Sequence, residues 1–279
     1  MLPRRSRRGL ETELRSKIKI CVASATGKIG RKLVRSIGES LDLELVGAVS
    51  RTHQNQKLGE VLSDCPRASA ELTISGSVSE ALQIPANVLV DYTHPDAARV
   101  NVREAILQGV NVVVGTSGLD NDDYVSFDAL ARENRVGVIT ASNFALTLAL
   151  LQFCASRIAP YIPHWEIIDY AAPDVVMAPL GTTKELAHRL SEHVSQSKWA
   201  NVSGSSRGQV VEGTPIHSVR LPGHVSCIEA IFGTGDEQLV LRHTCNDPRA
   251  YVSGTLLAVR KVGSCVGLVR GLERVLELP

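Results

Sequence analysis

Three short stretches of this chain carry residues whose types and spacing could do chemistry. The first is Ser24-Ala25-Thr26-Gly27-Lys28-Ile29-Gly30. It is a turn of small side chains between an apolar run (Ile18, Ile20, Val22) and a helical pattern that starts near Lys28. The backbone N–H groups of such a turn, with the helix N-terminus behind them, form a ready site for a pyrophosphate. Gly27 and Gly30 hold two places of a glycine fingerprint and Ser24 stands at the first, where a serine is tolerated if its φ stays negative. A plain structural turn would use the same residues. The second stretch, Ser50-Arg51-Thr52-His53, closes an apolar run, Leu43 to Val49. A carboxylate there would bind the adenosine ribose hydroxyls and select NAD. This chain has no acid there, and Arg51, with Lys57 nearby, suits the 2′-phosphate of NADPH, leaving NADH as the alternative. A solvated loop arginine would look the same.

The third stretch runs from Tyr170 to Glu185. Gly181, Thr182 and Thr183 open a helix, so their N–H groups could hold a carboxylate. Thr182 and Glu185 also have the spacing of a capping box, which explains the same residues without a ligand. Tyr170 and Lys184 are the nearest candidates for a proton donor. The bland readings are a sheet aromatic for Tyr170 and a solvated surface lysine for Lys184.

These residues need a scaffold to position them. After the first strand–turn–helix unit, apolar strands and helices alternate. The strands are Asn87 to Tyr92, Val110 to Val114 and Val136 to Thr140; the helices are Asp96 to Gln108 and Asn121 to Glu133. The strands end in Thr93-His94-Pro95, Gly115-Thr116-Ser117-Gly118 and Ala141-Ser142-Asn143-Phe144. Carboxyl ends of a doubly wound parallel sheet line a cofactor crevice, and this alternation predicts that sheet. From Trp165 the pattern changes to strands without regular helices (Trp165 to Tyr170, Gln209 to Leu221, Val225 to Gly233, Gln238 to Thr244), interrupted by a helix from Thr182 to Ser195. A second, mixed or antiparallel sheet follows. One long helix, Thr255 to Leu276, is expected to pack back on the first domain. The expectation is thus an α/β chain: a Rossmann-type domain over 17–144 with 255–279, an α+β domain over 145–254, and a basic tail over 1–16.

Composition narrows the function. Thirty basic and 29 acidic residues leave a net charge of +1, which argues against nucleic-acid or membrane-surface binding. The 279 residues are 44% hydrophobic, enough for sizeable cores. The six cysteines are scattered with no C-x-x-C pair, so buried thiols in a reducing cytoplasm are expected, with no zinc site and no disulfide framework. The arginines at 4, 5, 7 and 8 lead into no apolar segment of the kind a signal peptide needs.

Taken together, these motifs resemble the dihydrodipicolinate reductase (4-hydroxy-tetrahydrodipicolinate reductase) family. The resemblance rests on the glycine turn, Asp91-Tyr92-Thr93-His94-Pro95, Gly115-Thr116-Ser117-Gly118, Ser142-Asn143-Phe144, Glu166-Ile167-Ile168, Pro179 with Gly181-Thr182, the run from His217 to Gly223, and the run from Glu229 to Gly233. It implies NAD(P)H, a substrate domain and a homotetramer built through the substrate-domain sheets. It also implies a cofactor site lined by Gly27, Lys28, Ile29, Arg51, Gly115, Thr116, Ser117, Asn143 and Phe144.

One departure bears on the chemistry. The family's substrate loop carries His-His-x-x-Lys-x-Asp-x-Pro-Ser-Gly-Thr. Here the two histidines fall on Ala171 and Ala172, the lysine on Val175, the aspartate on Met177 and the serine on Leu180. Near the C-terminus, Pro248 replaces an arginine found in many members. In the family the first histidine is held to give the proton that accompanies hydride transfer to a C=N bond, and the lysine to pair with a substrate carboxylate. Alanine and valine do neither, and losing a general acid costs about 100- to 10,000-fold. Ala171, Ala172, Val175, Val176, Met177 and Leu180 would instead form an apolar wall. The expectation is a reductase of a cyclic imine less charged than the lysine precursor. The alternatives are a genuine lysine-pathway reductase with a relocated acid, and a nucleotide-binding pseudoenzyme.

Overall fold

The computed structural model describes residues 16–193 and 207–276. The basic tail, the end of the helix expected to reach Ser195, and the last three residues lie outside them. The first strand, β1 (Ile18–Ala23), is followed by α1 (Gly30–Gly38) and β2 (Leu43–Val49). Two short helices, α2 (Leu58–Val61) and α3 (Val78–Ala81), lead to β3 (Val88–Asp91), α4 (Pro95–Leu107), β4 (Asn111–Val114), α5 (Asn121–Asn134) and β5 (Gly137–Thr140). These strands are short and buried on both faces, as the continuous Val/Ile/Leu runs require in a parallel sheet.

The second domain begins with α6 (Leu146–Ile158) and continues through β6 (Trp165–Ala171), α7 (Gly181–Ser191), β7 (Gln209–Val211), β8 (Thr214–Arg220), β9 (Ser226–Gly233) and β10 (Gln238–Cys245). The run from Gln209 to Leu221, expected as one strand, is a hairpin. Its turn uses Glu212 (φ 47°) and Gly213 (φ 81°). The order in this sheet is β10-β9-β6-β8-β7, with β6 and β8 parallel and the other pairs antiparallel. Helices α6 and α7 cover one face through Leu148, Leu151, Leu186 and Leu190 against Ile167, Ile228 and Phe232.

The chain then returns to the first domain, but not as one long helix. It forms α8 (Ala250–Val262), a further strand β11 (Gly267–Arg270), and a short 3-10 turn over Leu272–Val275. Gly267 (φ 87°) and Gly271 (φ 103°) punctuate this stretch in conformations that side-chain-bearing residues rarely adopt. Strand β11 pairs with β5, giving a six-stranded parallel sheet in the order β11-β5-β4-β3-β1-β2. Alternation along β1 divides its faces: Ile20 and Val22 pack with α1 and α8, while Cys21 and Ala23 pack with α3, α4 and α5. Strand order reverses between β1 and β3. The crevice outside their carboxyl ends is where such sheets bind ligands. No helix among the described residues is long and apolar enough to cross a membrane.

Candidate active site

The turn after β1 is shaped by contacts that exclude side chains. A Cβ on Gly30 would overlap the carbonyl oxygen of Ser24, and one on Gly27 would meet the Ser24 side chain. The Gly27 N–H donates to that carbonyl at 2.9 Å. Ser24 is left-handed, with φ 66°, contrary to the negative φ expected of a serine there. The turn imposes on Ser24 the conformation that the fingerprint's glycine would adopt freely, at a cost of roughly 1–2 kcal/mol. Helix α1 has no side-chain cap and no acid in its first turn, so its dipole faces the crevice uncompensated. A narrow cradle that a Cβ would fill, ending at an uncapped helix N-terminus, suits a dinucleotide pyrophosphate.

Arg51 is exposed at the carboxyl end of β2 and has no ion pair among the described residues. Lys57 does not reinforce it. Its Nζ donates to the Glu71 carbonyl at 2.8 Å and lies 4.0 Å from the Glu71 carboxylate. Thr26 Oγ1 and Ser50 Oγ are hydrogen-bonded at 2.8 Å, fixing the β1 and β2 ends against each other.

Asp91, wholly buried at the end of β3, organises the next two loops. Its carboxylate accepts from the Thr93 N–H (3.0 Å), the Thr93 hydroxyl (2.7 Å), the Thr116 hydroxyl (2.6 Å) and the Asn101 amide (2.8 Å). Gly115 lies so close to Tyr92 that a Cβ would enter its ring. Burial pushes the Tyr92 hydroxyl far above its usual range, and the hydroxyl bonds Thr255 Oγ1 at 2.7 Å. A recess of about 210 Å³ opens here, with Ile29, Gly115, Ser117, Asn143, Phe144 and Tyr251 among its walls. The Asn143 side chain accepts the Ala145 N–H at 2.7 Å, holding this loop at the start of α6.

A larger crevice of about 590 Å³ adjoins the recess, and Ser117, Ala141, Ser142 and Asn143 line both. Its opposite wall is the second domain: Met177, Leu180, and the first turns of α7 from Gly181 to His188. Ser142 donates to Glu185, which also pairs with Arg189 at 2.7 Å; Arg189 in turn pairs with Glu273. This chain of charges links the loop after β5, helix α7 and the C-terminal turn. It also replaces the expected capping box. Helix α7 begins at Gly181 with Leu180 at its N-cap, and Glu185 is committed elsewhere.

The structure redistributes the expected substrate residues. Gly181, Thr182 and Lys184 line the crevice. Lys184 is exposed and has no ion pair among the described residues. Ala171, Ala172 and Val175 are not among the lining residues. Ala171 is 1% exposed at the inner end of β6. Val176 stands out in solvent, so only Met177 and Leu180 remain of the apolar wall. Tyr170 is on the wrong face. Ile167, Asp169 and Ala171 point toward the helices, so Tyr170 points away from them. There its ring lies 5.2 Å from His224 and 5.3 Å from the Arg242 guanidinium. It is a sheet aromatic and not a proton donor to this crevice.

Sequence reasoning did not single out Arg220 or Arg270, and it gave Glu185 only a capping role. Arg220 holds the loop between β6 and α7. Its guanidinium donates to Asp169 Oδ1 (2.8 Å), to the Val175 carbonyl (3.2 Å) and to the Met177 carbonyl (2.6 Å). Asp169 is fully buried and also accepts the Leu180 N–H at 2.6 Å. Arg270, on β11, lines the larger crevice. The glycines around it were the one signal of a break in the supposed helix.

Comparison with known proteins agrees with this geometry. The family described as "Dihydrodipicolinate reductase, N-terminus" matches residues 18–144, and "Dihydrodipicolinate reductase, C-terminus" matches residues 144–276. The 4-hydroxy-tetrahydrodipicolinate reductase of Desulfitobacterium hafniense (strain DSM 10664 / DCB-2) is 36% identical over 267 residues, covering 94% of this chain and 99% of its own. That of Thermosynechococcus vestitus is 36% identical over 272 residues, covering 93% of this chain and 97% of its own. Among solved structures, the dipicolinate-bound dihydrodipicolinate reductase from Paenisporosarcina sp. TG-14 superposes with a TM-score of 0.79. It is 28% identical and covers 93% of this chain and 100% of its own. An amine dehydrogenase from Mycobacterium smegmatis (TM-score 0.63, 16% identity, covering 95% of this chain and 97% of its own) shares the fold.

Proposed function

This chain belongs to the dihydrodipicolinate reductase family, and from that premise we infer that it is an NADPH-preferring reductase of the C=N bond of a cyclic imine. The observation that carries the reading is the junction of the two cavities at Ser142 and Asn143. A recess fit for a nicotinamide ring opens onto a crevice large enough for a small ring compound. The dinucleotide would be held by the turn from Ser24 to Ile29, the N-terminus of α1, Arg51, and the loops at Gly115–Ser117 and Asn143–Phe144. When bound, it supplies the hydride that adds to the imine carbon.

The chain's own groups do the rest. The Asp91 hydrogen bonds fix the loop that carries Gly115 to Ser117, so orientation is set before binding. The imine nitrogen must gain one proton for each hydride delivered. We assign that proton to Lys184, which lines the crevice and has no ion pair among the described residues. An imine that arrives already protonated needs positioning alone. The N-terminus of α7, at Gly181 and Thr182, favours a negative group on the substrate.

A second reading is that the substrate is 4-hydroxy-tetrahydrodipicolinate itself. It is favoured by the curated relatives carrying that activity at 36% identity and by the shrinking of the apolar wall to Met177 and Leu180. One experiment separates them. Purified protein is mixed with NADPH or NADH and a panel of cyclic imines that includes the lysine precursor, and loss of the reduced cofactor's absorbance is followed. Turnover with any imine supports the reductase; the best imine decides between the readings; NADPH binding without turnover rejects both in favour of a pseudoenzyme. We also propose assembly as a homotetramer through the outer face of the second sheet, where Val210 and Val240 are exposed. Light scattering tests it.

A further inference from the structure

We propose that Arg270 is a substrate-binding residue that holds a carboxylate of the imine, taking over from the first domain the role lost with a cation at Val175. The inference rests on the reductase reading for its substrate, but its evidence is separate. Arg270 ends β11, directly opposite Thr140, the last residue of β5. It therefore stands at the carboxyl edge of the parallel sheet, where the crevice opens, and it lines that crevice together with Tyr124, Gly181, Thr182 and Lys184. Its guanidinium carbon lies 4.3 Å over the Tyr124 ring. One N–H reaches Asn121 Oδ1 at 3.3 Å. The guanidinium is thus stacked and oriented before any ligand arrives, with donors to spare for a planar two-oxygen group.

The charge balance of the crevice points the same way. Glu185 is taken up by Arg189 and Ser142, and His188 pairs with Glu212 at 2.7 Å. Arg270 and Lys184 have no carboxylate partner among the described residues, although the chain carries nearly as many acids as bases. Two unanswered cations and a helix N-terminus around one crevice describe a site for an anion. A stacked arginine suits a carboxylate held in fixed orientation, and a flexible lysine suits a transient proton. The division assigns the grip to Arg270 and leaves the proton to Lys184.

The test uses dipicolinate, a planar dicarboxylate, as the probe, with binding to the NADPH-loaded protein measured by calorimetry. Arg270→Met is expected to weaken dipicolinate about 10- to 100-fold, the usual consequence of losing one charge-assisted partner. Arg270→Lys should recover part of that loss. In turnover, Arg270→Met should lower the preference for a carboxylated over an uncarboxylated cyclic imine by a similar factor, expressed as a ratio of kcat/KM values. Dipicolinate binding unchanged in Arg270→Met overturns the proposal, as does a wild-type protein that binds no dipicolinate. A loss of NADPH affinity in place of dipicolinate affinity overturns it too, since the arginine would then serve the cofactor. Arg270-dependent dipicolinate binding without turnover of any imine would sustain this proposal while rejecting the reductase reading.

Discussion

Replacing Arg220 by methionine offers the sharpest test of how the substrate loop is held. Asp169 is fully buried, and Arg220, with its side chain 17% exposed, is its only cationic partner among the described residues. Arg220→Met keeps much of the side-chain volume and strands that carboxylate with the Leu180 N–H alone. Breaking a buried pair by removing one member costs about 3–5 kcal/mol. In a domain of this size each kcal/mol moves the melting temperature by about 2–4 °C, so a fall of roughly 6–20 °C is expected. The arginine also anchors the Val175 and Met177 carbonyls, so the loop that places Met177 and Leu180 in the crevice should loosen, and KM for the imine should rise more than kcat falls. Calorimetry and denaturant unfolding give the stability, and initial rates give the kinetic split. The double variant Asp169→Asn, Arg220→Met removes the stranded charge and should regain about 1–3 kcal/mol over the single one. A single variant that melts within about 2 °C of the parent would refute the argument.

Three further outcomes follow from the same geometry. Arg51→Ala should raise KM for NADPH about 10- to 100-fold and leave NADH nearly unaffected, measured as paired initial rates; equal effects on both would show that Arg51 does not face the 2′-phosphate. Ser24→Gly should stabilise the chain by about 1 kcal/mol in chemical unfolding, because glycine adopts the observed φ of 66° without strain. Burial holds the His243 imidazole below its usual range while its Nδ1 bonds Thr147 Oγ1 at 2.8 Å. The unfolded chain therefore takes up this proton at a higher pH than the folded one. Its contribution to stability is complete above about pH 6.5 and is lost as the pH falls from there toward the folded value. His243→Gln should flatten that slope in unfolding measured across the interval, and parallel curves for the two proteins would exclude the assignment.

Much of the molecule follows from its sequence alone. Short strands such as Val88–Asp91 and Gly137–Thr140 are without polar side chains up to their last position because both their faces are covered, and that pattern, alternating with helices, specifies a parallel sheet. Gly27 and Gly30 mark a close approach that only glycine permits. The alanines at 171 and 172 and the valine at 175 are likewise plain from the sequence. What the sequence could not decide are matters settled between distant segments. The helical periodicity from Thr255 to Leu276 was compatible with one helix; pairing with β5 turned its end into a strand and brought Arg270 to the crevice. Thr182 and Glu185 had the spacing of a cap; Ser142 and Arg189 drew the glutamate away. Tyr170 follows Asp169 by one residue, and the pleat sends the two to opposite faces. Local pattern senses neighbours within a turn or a pleat. Which face meets a cavity, and which charge finds a partner, depends on contacts that exist only once the two sheets are in place.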